Sequence, residues 1–451
     1  MGGCKMTALA TKLESIVGPE HVRTGEAAGR FAVDGVRPEV AVFPGSVEEV
    51  SAVLAACSEA RVGVIPWGGG TSMGQGAIPT RGEVALGLTR LDRVLEHEPA
   101  DMTSTVQAGM TLAAYQAALG ERGQFLALDA PSSGRATIGG ILAANVSGPR
   151  RIRYGTARDL LIGAKIVHAD GTVTRSGAKV VKNVTGYDLN KLYVGSLGTL
   201  GVIVEACFRL YPHPTAERTW IGWLPDAARG RDAVAALLDS PLVPSALELL
   251  NRAAAEGVLS QAGISPKAGS MLLAVAVASV PEAVAAQLDE VARLARPHGG
   301  EGEVVAGEAH ERFWQAVRDV GANGEAGITL KASVLPGHVG EAFGRGEAIA
   351  AQHGLRVASV SEAGTGVVRY RLWDGAGGGE PQRRMAEAVL ALRAMAGGVR
   401  GSLVVLDAPP EVKAAADVWG PVGQGLALMR ALKEQFDPSH TLNPGRFVGG
   451  L

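Results

Sequence analysis

The sequence predicts an α+β protein of two or three domains, and three observations carry that prediction. Short β-like runs alternate with capped or alanine-rich helical windows along most of the 451 residues. Glycine is dense up to about residue 212 and sparser in the stretch that follows, from Thr219 to about residue 298. Beyond that shift a strand–helix–strand order occurs twice, the pattern of a ferredoxin-like sheet with helices on one face.

The elements follow in order. Val40 to Phe43 reads as a strand and Pro44-Gly45 as a turn. Ser46-x-x-Glu49 is a capping box that opens a helix to about Ala60, since hydroxyl and carboxylate each accept an otherwise orphaned N–H of the first turn. Val62 to Pro66 is a second strand, running into a glycine run. Further strands are expected at Val84–Leu88, Ser104–Gln107, Gly163–His168 (closed by Asp170-Gly171) and Val202–Leu210. Tyr211-Pro212-His213-Pro214 marks a boundary. After it come strands Thr219–Leu224, Ser245–Leu250 and Met271–Ser279, with helices Ala227–Leu238 and Pro281–Ala295. The second round is strand Ile328–Leu335, helix Glu341–His353, strands Val357–Glu362 and Gly366–Trp373, and helix Pro381–Met395. A last helix spans about Pro421 to Phe436. The domains are therefore expected at 1–214, split near residue 100, then 215–420, then a helix and tail at 421–451.

Composition narrows the function. Lys plus Arg number 43 against 45 Asp plus Glu, a balance that leaves no electrostatic footprint for nucleic acid. Cys4, Cys57 and Cys207 lie far apart, which argues against a disulfide framework, a thiolate zinc site or an iron–sulfur cluster and fits a reducing compartment. No secretory signal is visible at the N-terminus, Met6 stands where a myristoylation motif needs Ser or Thr, and no apolar run reaches a membrane span. A cytoplasmic protein is expected. The 62 glycines are about twice the usual share, so many must sit in turns or where backbone approaches something closely.

Three clusters hold many of them. The first, Pro66-Trp67-Gly68-Gly69-Gly70-Thr71-Ser72-Met73-Gly74, is neither a Rossmann fingerprint nor a Walker loop, because no Lys follows and the next element is a strand. Without Cβ atoms its N–H groups can converge on an anion, with Thr71 and Ser72 adding hydroxyls, although a surface turn reads the same way. The second runs from Pro131-Ser132 through Thr137-Ile138-Gly139-Gly140 to Asn145-Val146-Ser147-Gly148. The third comprises Gly186-Tyr187-Asp188-Leu189 and Gly195, Gly198 and Gly201, followed by Val202-Ile203. Three clusters within about 140 residues suggest one extended phosphate-bearing ligand.

These motifs carry a specific resemblance. PWGGGTSMGQGA, then TIGGILAANVSGPRRIRYGTARDLLIGAKIVHADGTVTRSGAKVV and KNVTGYDLNKLYVGSLGTLGVI, resemble the FAD-binding domain of the vanillyl-alcohol oxidase/p-cresol methylhydroxylase (PCMH) superfamily. Lys179 to Ile203 is similar to the bacterial glycolate oxidase and D-lactate dehydrogenase branch. Asp417-Val418-Trp419-Gly420-Pro421, Leu428 to Pro438 and the ending LNPGRFVGG resemble the FAD-binding subunits of glycolate oxidases. The resemblance implies a two-subdomain PCMH-type domain, a ferredoxin-like cap and a C-terminal helix whose tail returns to the FAD domain.

It also implies site residues. Pro66, Trp67, Gly68, Gly69, Gly70, Thr71, Ser72 and Gly74 would wrap the pyrophosphate. Pro131, Ser132, Thr137, Ile138, Gly139, Gly140, Asn145, Ser147 and Gly148 would line the flavin and ribityl side. Gly198, Gly201, Val202 and Ile203 would meet the adenine half or pyrophosphate, and Asn443 the isoalloxazine. Relatives that attach flavin covalently place a His beside the glycine loop; here Thr71 and Ser72 stand there, so non-covalent FAD is expected.

One departure matters. Relatives that oxidise 2-hydroxy acids alone hold a metal with two His in a pattern like H-x-G-D-G-N-L-H and a later Glu. Aligned on Gly364 and Gly366, those positions are Glu362, Arg369 and Leu406, a set unsuited to a divalent ion, so no metal is expected. Glu362 and Arg369 can form an ion pair instead, or stand as solvated strand-end charges. Arg318 matches a position where relatives place an Arg able to clamp a carboxylate, and Lys331 is a further candidate of that kind; surface charge is the alternative for each. Arg318 and Arg369 are the expected catalytic-site cations. Arg150-Arg151-x-Arg153 can meet a partner, the FAD phosphates or only solvent. His168, on a strand beside a turn, reads as structural.

The resemblance thus implies an FAD-binding subunit of a glycolate (2-hydroxy acid) oxidase, a hydride passing from the substrate α-carbon to flavin N5. A sister flavoprotein subunit would carry the main substrate site. An iron–sulfur subunit would pass electrons to an acceptor at the inner face of the membrane. A catalytically silent FAD-binding assembly subunit and a stand-alone, metal-independent dehydrogenase of another small hydroxy acid or alcohol are the alternatives.

Overall fold

The computed structural model describes residues 2–177, 187–322, 326–375, 377 and 379–451. Lys179 to Gly186 of the third glycine segment therefore lie outside the described residues. The chain divides into two compact units, one of Met1–Ser147, Thr156–His213 and Pro421–Leu451, the other of Gly148–Gly155 and Pro214–Gly420. The segment 148–155, expected in the first domain, groups with the second.

In the first unit a four-stranded sheet runs in the order Val22–Thr24, Val40–Val42, Val84–Gly87, Val64–Trp67, the last three mutually parallel. Helix Val47–Glu59 makes the crossover. The Ser46 hydroxyl accepts the Glu49 N–H at 3.1 Å and the Glu49 carboxylate accepts that of Gly45 at 2.7 Å. Val50, Val53, Leu54 and Cys57 form its buried stripe, at the spacing an amphipathic helix requires. An antiparallel five-stranded sheet follows, ordered Val94–Glu98, Thr103–Gln107, Val202–Arg209, Leu161–Val167, Val173–Gly177. Helix Gly2–Val17, unforeseen in the sequence, buries Met6, Leu9, Leu13 and Val17 in the core of the first sheet.

The last helix starts at Leu426, not Pro421, because Gly423 and Gly425 stand in the five residues before it. Its Lys433 is buried. The ammonium donates to Asp437 Oδ2 at 2.6 Å and to the carbonyls of Thr199 (2.8 Å) and Leu442 (3.0 Å). Asp437 in turn accepts the N–H groups of Thr441 (2.9 Å) and Leu442 (2.8 Å). The tail then runs beside the strand Val64–Trp67, Val64 donating to Thr441 O and accepting from Asn443 N.

The second unit is one eight-stranded antiparallel sheet of two ferredoxin-like halves. The first is ordered Glu301–Val305, Ala216–Leu224, Met271–Ser279, Ala246–Asn251, and the second Leu355–Glu362, Val367–Asp374, Ile328–Ser333, Ser402–Asp407. The halves join where Ala246–Asn251 pairs with Leu355–Glu362. Helices cover both faces of the first half, correcting the one-face expectation. Arg252–Ala262 and Gly307–Asp319 bury Val258, Leu259, Phe313 and Val317 against Ile221, Trp223, Leu272 and Ala274.

Two outcomes follow for the first unit. Lys433→Met or Asp437→Asn leaves one charge buried without its partner, a loss of about 3–5 kcal/mol; thermal unfolding should show each as a markedly lowered midpoint. Burial holds His168 below the usual histidine range, while its Nε2 meets Thr174 Oγ1 at 2.7 Å. The folded ring stays neutral where the unfolded one takes a proton, so stability falls as pH drops through about 6.5. Denaturant titrations between pH 8 and 5 should show that slope reduced in His168→Asn.

Candidate functional site

The strand Val64–Trp67 ends in a run held by close backbone approach. A Cβ on Gly68 would lie 2.1 Å from Thr137 Oγ1, and one on Gly69 only 1.7 Å from the Arg135 carbonyl oxygen. Gly70 takes φ +74 against the Trp67 ring. Thr137 caps helix Ile138–Ala144, its hydroxyl accepting the Gly140 N–H, and a Cβ on Gly139 would sit 2.9 Å from Ala108 Cβ. The glycines are thus required by packing, and the same bareness leaves main-chain N–H groups accessible.

Between these pieces runs a cleft with about 700 Å³ of free space, its open mouth included. Pro66, Trp67, Gly68, Gly69, Gly70, Thr71 and Ser72 form one wall, Thr137, Gly139 and Gly140 another, and Gly198, Gly201, Val202 and Ile203 a third. Asn443 enters from the tail, 3% exposed and at φ 44. Its Nδ2 donates to Leu197 O at 2.5 Å, which turns Oδ1 the other way, buried and without a partner among the described residues. Leaving such an acceptor unmade costs about 1–3 kcal/mol, so it points to a ligand donor. Main-chain donors, three hydroxyls, apolar Leu88 and Val202 and one amide acceptor together suit a ligand that is part anion and part flat ring.

Seven expected residues lie outside this lining. Ile138 points into the core with no exposure. Asn145 ends its helix in the left-handed conformation at φ 49 and is exposed. The Ser132 carbonyl, in the turn after Pro131, accepts the N–H groups of Arg135 and Ala136 at 2.8 Å each, shaping the loop behind Gly69. The Ser147 hydroxyl accepts the Ala157 N–H at 3.4 Å. Gly74 follows the lined part of the loop, and Gly148 groups with the second unit. Sequence reasoning missed Met73, Leu88, Ala143, Ala144, Leu197 and Arg446 in the lining. Ala143 and Ala144 lie one helical turn beyond Gly139 and Gly140, a small-residue stripe that was there to be read.

In the second unit Arg369 donates to the carbonyls of Arg318 (3.2 Å) and Val317 (3.4 Å), closing the C-terminal end of helix Gly307–Asp319. That brings Arg318 and Arg369 together, through backbone. Glu362 does not pair with Arg369; its carboxylate meets Arg151 at 3.2 Å. Arg150 pairs with Glu217 at 2.9 Å and Arg153 donates to Ala278 O at 2.8 Å, so the basic run is engaged within this unit. Lys331 stands opposite Arg369 across adjacent strands. Burial first, and the Arg151 charge next, hold it below the usual lysine range, with Glu362 opposing. Among the described residues no three His, Cys, Asp or Glu side chains gather as a metal site. At the positions the resemblance assigns to a metal stand an ion-paired Glu362, the cation Arg369 and Leu406, which do not fit one.

Comparison with known proteins agrees with this geometry. The family model described as "FAD binding domain" matches residues 38–177, and that described as "FAD linked oxidases, C-terminal domain" matches 213–405 and 417–447. The glycolate oxidase subunit GlcD of Bacillus subtilis is 27% identical over 449 residues, covering 96% of this chain and 95% of that protein. The D-lactate dehydrogenase of Archaeoglobus fulgidus is 30% identical over 425 residues, covering 91% and 92%. Among solved structures, the 4-ethylphenol oxidase of Gulosibacter chungangensis has a TM-score of 0.77 at 16% identity, covering 98% of this chain and 97% of its own. A substrate-bound p-cresol methylhydroxylase has 0.75 at 18%, covering 98% and 96%; at such identities the likeness is one of fold. A glycine-walled cleft, a double ferredoxin-like sheet and matches from residue 38 to 447 converge on one conclusion: the chain belongs to the FAD-linked oxidases, with a PCMH-type fold, and is an FAD-dependent oxidoreductase.

Proposed function

We propose that FAD lies non-covalently in the cleft of the first unit and that the protein oxidises the CH–OH group of a small 2-hydroxy acid to a 2-oxo acid. The carrying observation is the cradle at Gly68 and Gly69, where the Thr137 hydroxyl and the Arg135 carbonyl exclude any side chain and the two glycines line the cleft with main chain alone. Asn443 Oδ1 supports the flavin end, as an acceptor for a ring N–H. No His, Cys or Tyr stands in the lining among the described residues, which supports non-covalent binding. Bound FAD supplies the two-electron acceptor, while the protein orients and excludes water.

The relatives' names, glycolate oxidase subunit, D-lactate dehydrogenase and D-2-hydroxyglutarate dehydrogenase, support a 2-hydroxy acid, with glycolate giving glyoxylate. Arg318 and Lys331 are read as the carboxylate contacts, and Arg369 as the residue positioning the helix end that carries Arg318. Glu362 is committed to Arg151, so this reading has no metal-assisted step.

Electrons are read as leaving through other proteins. Cys57 and Cys207 are buried single thiols, and among the described residues no helix is long and apolar enough to cross a membrane. A sister flavoprotein subunit and an iron–sulfur subunit, at the inner face of the cytoplasmic membrane, are read as the partners. The ion-paired Glu362 favours one second reading, a catalytically silent FAD-binding assembly subunit.

Anaerobic mixing of the purified chain with glycolate and D-lactate tests this, read as loss of visible flavin absorbance. Bleaching unaffected by a chelator, with FAD released on denaturation, is the expected result. Bleaching only after a partner flavoprotein is added would select the silent reading, and a protein that cannot take up FAD would overturn both. Gly69→Ala should lose FAD, since its Cβ must displace the Arg135 carbonyl. Arg318→Met should weaken substrate binding about tenfold, with FAD content unchanged.

A further inference from the structure

The second unit holds an apolar pocket that the oxidation of a hydroxy acid leaves unused. It lies between the sheet and the helices Ala227–Leu238 and Pro281–Ala295, with about 730 Å³ of free space, its open mouth included. Leu247 stands opposite Val275 in register and Val277 lies two residues on, so one face of the sheet supplies a floor of apolar side chains. Leu237 and Val291 close it from the two helices, and all five of these residues are buried. Leu238 and Val243, 42% and 54% exposed, stand at its rim.

The turn between helix and strand keeps this space open. The Ser240 hydroxyl donates to Leu237 O at 2.6 Å and accepts the Leu242 N–H at 3.2 Å, while Gln287 Oε1 accepts the Val243 N–H at 3.2 Å. The turn is thus tied to both helices, and Pro241 and Pro244 restrict its backbone. Filling the pocket by collapse would break these bonds.

Every lining side chain but one is apolar, so water finds few partners there and an apolar occupant is favoured. The exception is Arg153. Its Nη1 donates to Ala278 O at 2.8 Å, one residue beyond Val277, and the guanidinium lies 5.4 Å from the centre of the Tyr154 ring. Glu217 and Glu362 pair with Arg150 and Arg151, whereas among the described residues no carboxylate pairs with Arg153. Its charge is therefore met only by a carbonyl and a ring, and its planar fork keeps donors for an anion.

We propose that this pocket binds an amphiphile, an aliphatic chain against the floor with its anionic head at Arg153. It shares no residue with the cleft read as the FAD site. A free alkanoate and the acyl chain of an anionic phospholipid have this chemistry in common.

Calorimetric titration of the whole FAD-loaded protein with butanoate, octanoate and octanol is the test. Each buried methylene contributes about three- to fourfold, so octanoate should bind about a hundredfold or more tightly than butanoate. Octanoate should exceed octanol about fivefold, and Arg153→Gln should remove that difference while leaving octanol unchanged, which also shows the pocket intact. Val277→Phe, which fills the floor, should weaken both ligands alike, with the thermal midpoint reporting its fold. Octanoate no tighter than butanoate, or an undiminished preference over octanol in Arg153→Gln, would overturn the proposal. Sedimentation with phosphatidylglycerol vesicles separates the two sources. Retention by wild type that is lost in Arg153→Gln assigns a membrane lipid, and octanoate binding without retention assigns a free alkanoate.

Discussion

A buried ammonium holds the site together. Lys433 satisfies its three donors on Asp437, Thr199 O and Leu442 O, and Asp437 spends both oxygens on the tail's N–H groups. Burial first, with the Arg81 charge adding to it, pulls Lys433 below its usual range, and Asp437 opposes that. The geometry is what such a pair needs to offset desolvation: every donor and acceptor has a partner. Thr199 belongs to the glycine segment of the third cleft wall, while Leu442 leads into Asn443 and Arg446. One interaction thus fixes a loop from the middle of the chain to a tail from its end.

Everything polar at the cleft depends on that registration. The tail lies along the strand that feeds the glycine loop, so Asn443 can reach Leu197 and Arg446 can reach Met73 and Gln75. Where Gly69 meets the Arg135 carbonyl and Gly68 the Thr137 hydroxyl, there is no slack to absorb a displaced tail. The cleft is therefore preorganised by packing and buried hydrogen bonds, the condition for orienting a cofactor without induced rearrangement.

Much of this was legible in the sequence, for identifiable reasons. The Ser46–Glu49 box and the stripe from Val50 to Cys57 are local signals, and local signals placed helix Val47–Glu59 to the residue or nearly so. The glycine loop was legible because close approach leaves only glycine as an answer. Residues whose role depends on distant partners were not. Arg446 looks like any exposed basic residue until the tail is seen folded back, and that Asn145 ends its helix in the left-handed conformation shows only in the fold. Glu362 and Arg369, neighbours by strand spacing, each found a different partner, Arg151 and the end of helix Gly307–Asp319. Helix Arg252–Ala262 escaped because its alanine-rich turns carry little contrast, whereas Gly307–Asp319, with His310, Phe313, Trp314 and Val317 on one buried face, carried a stripe that was there to be read.

The central claim is that one cofactor cleft is built jointly by the glycine loop, the capped helix, the third glycine segment and the C-terminal tail. Hydrogen–deuterium exchange of the whole protein, with and without FAD, tests it most directly. The account predicts that FAD slows exchange together in 68–76, 137–144, 197–203 and 442–446. Protection confined to the loop, with the tail exchanging as before, would contradict it.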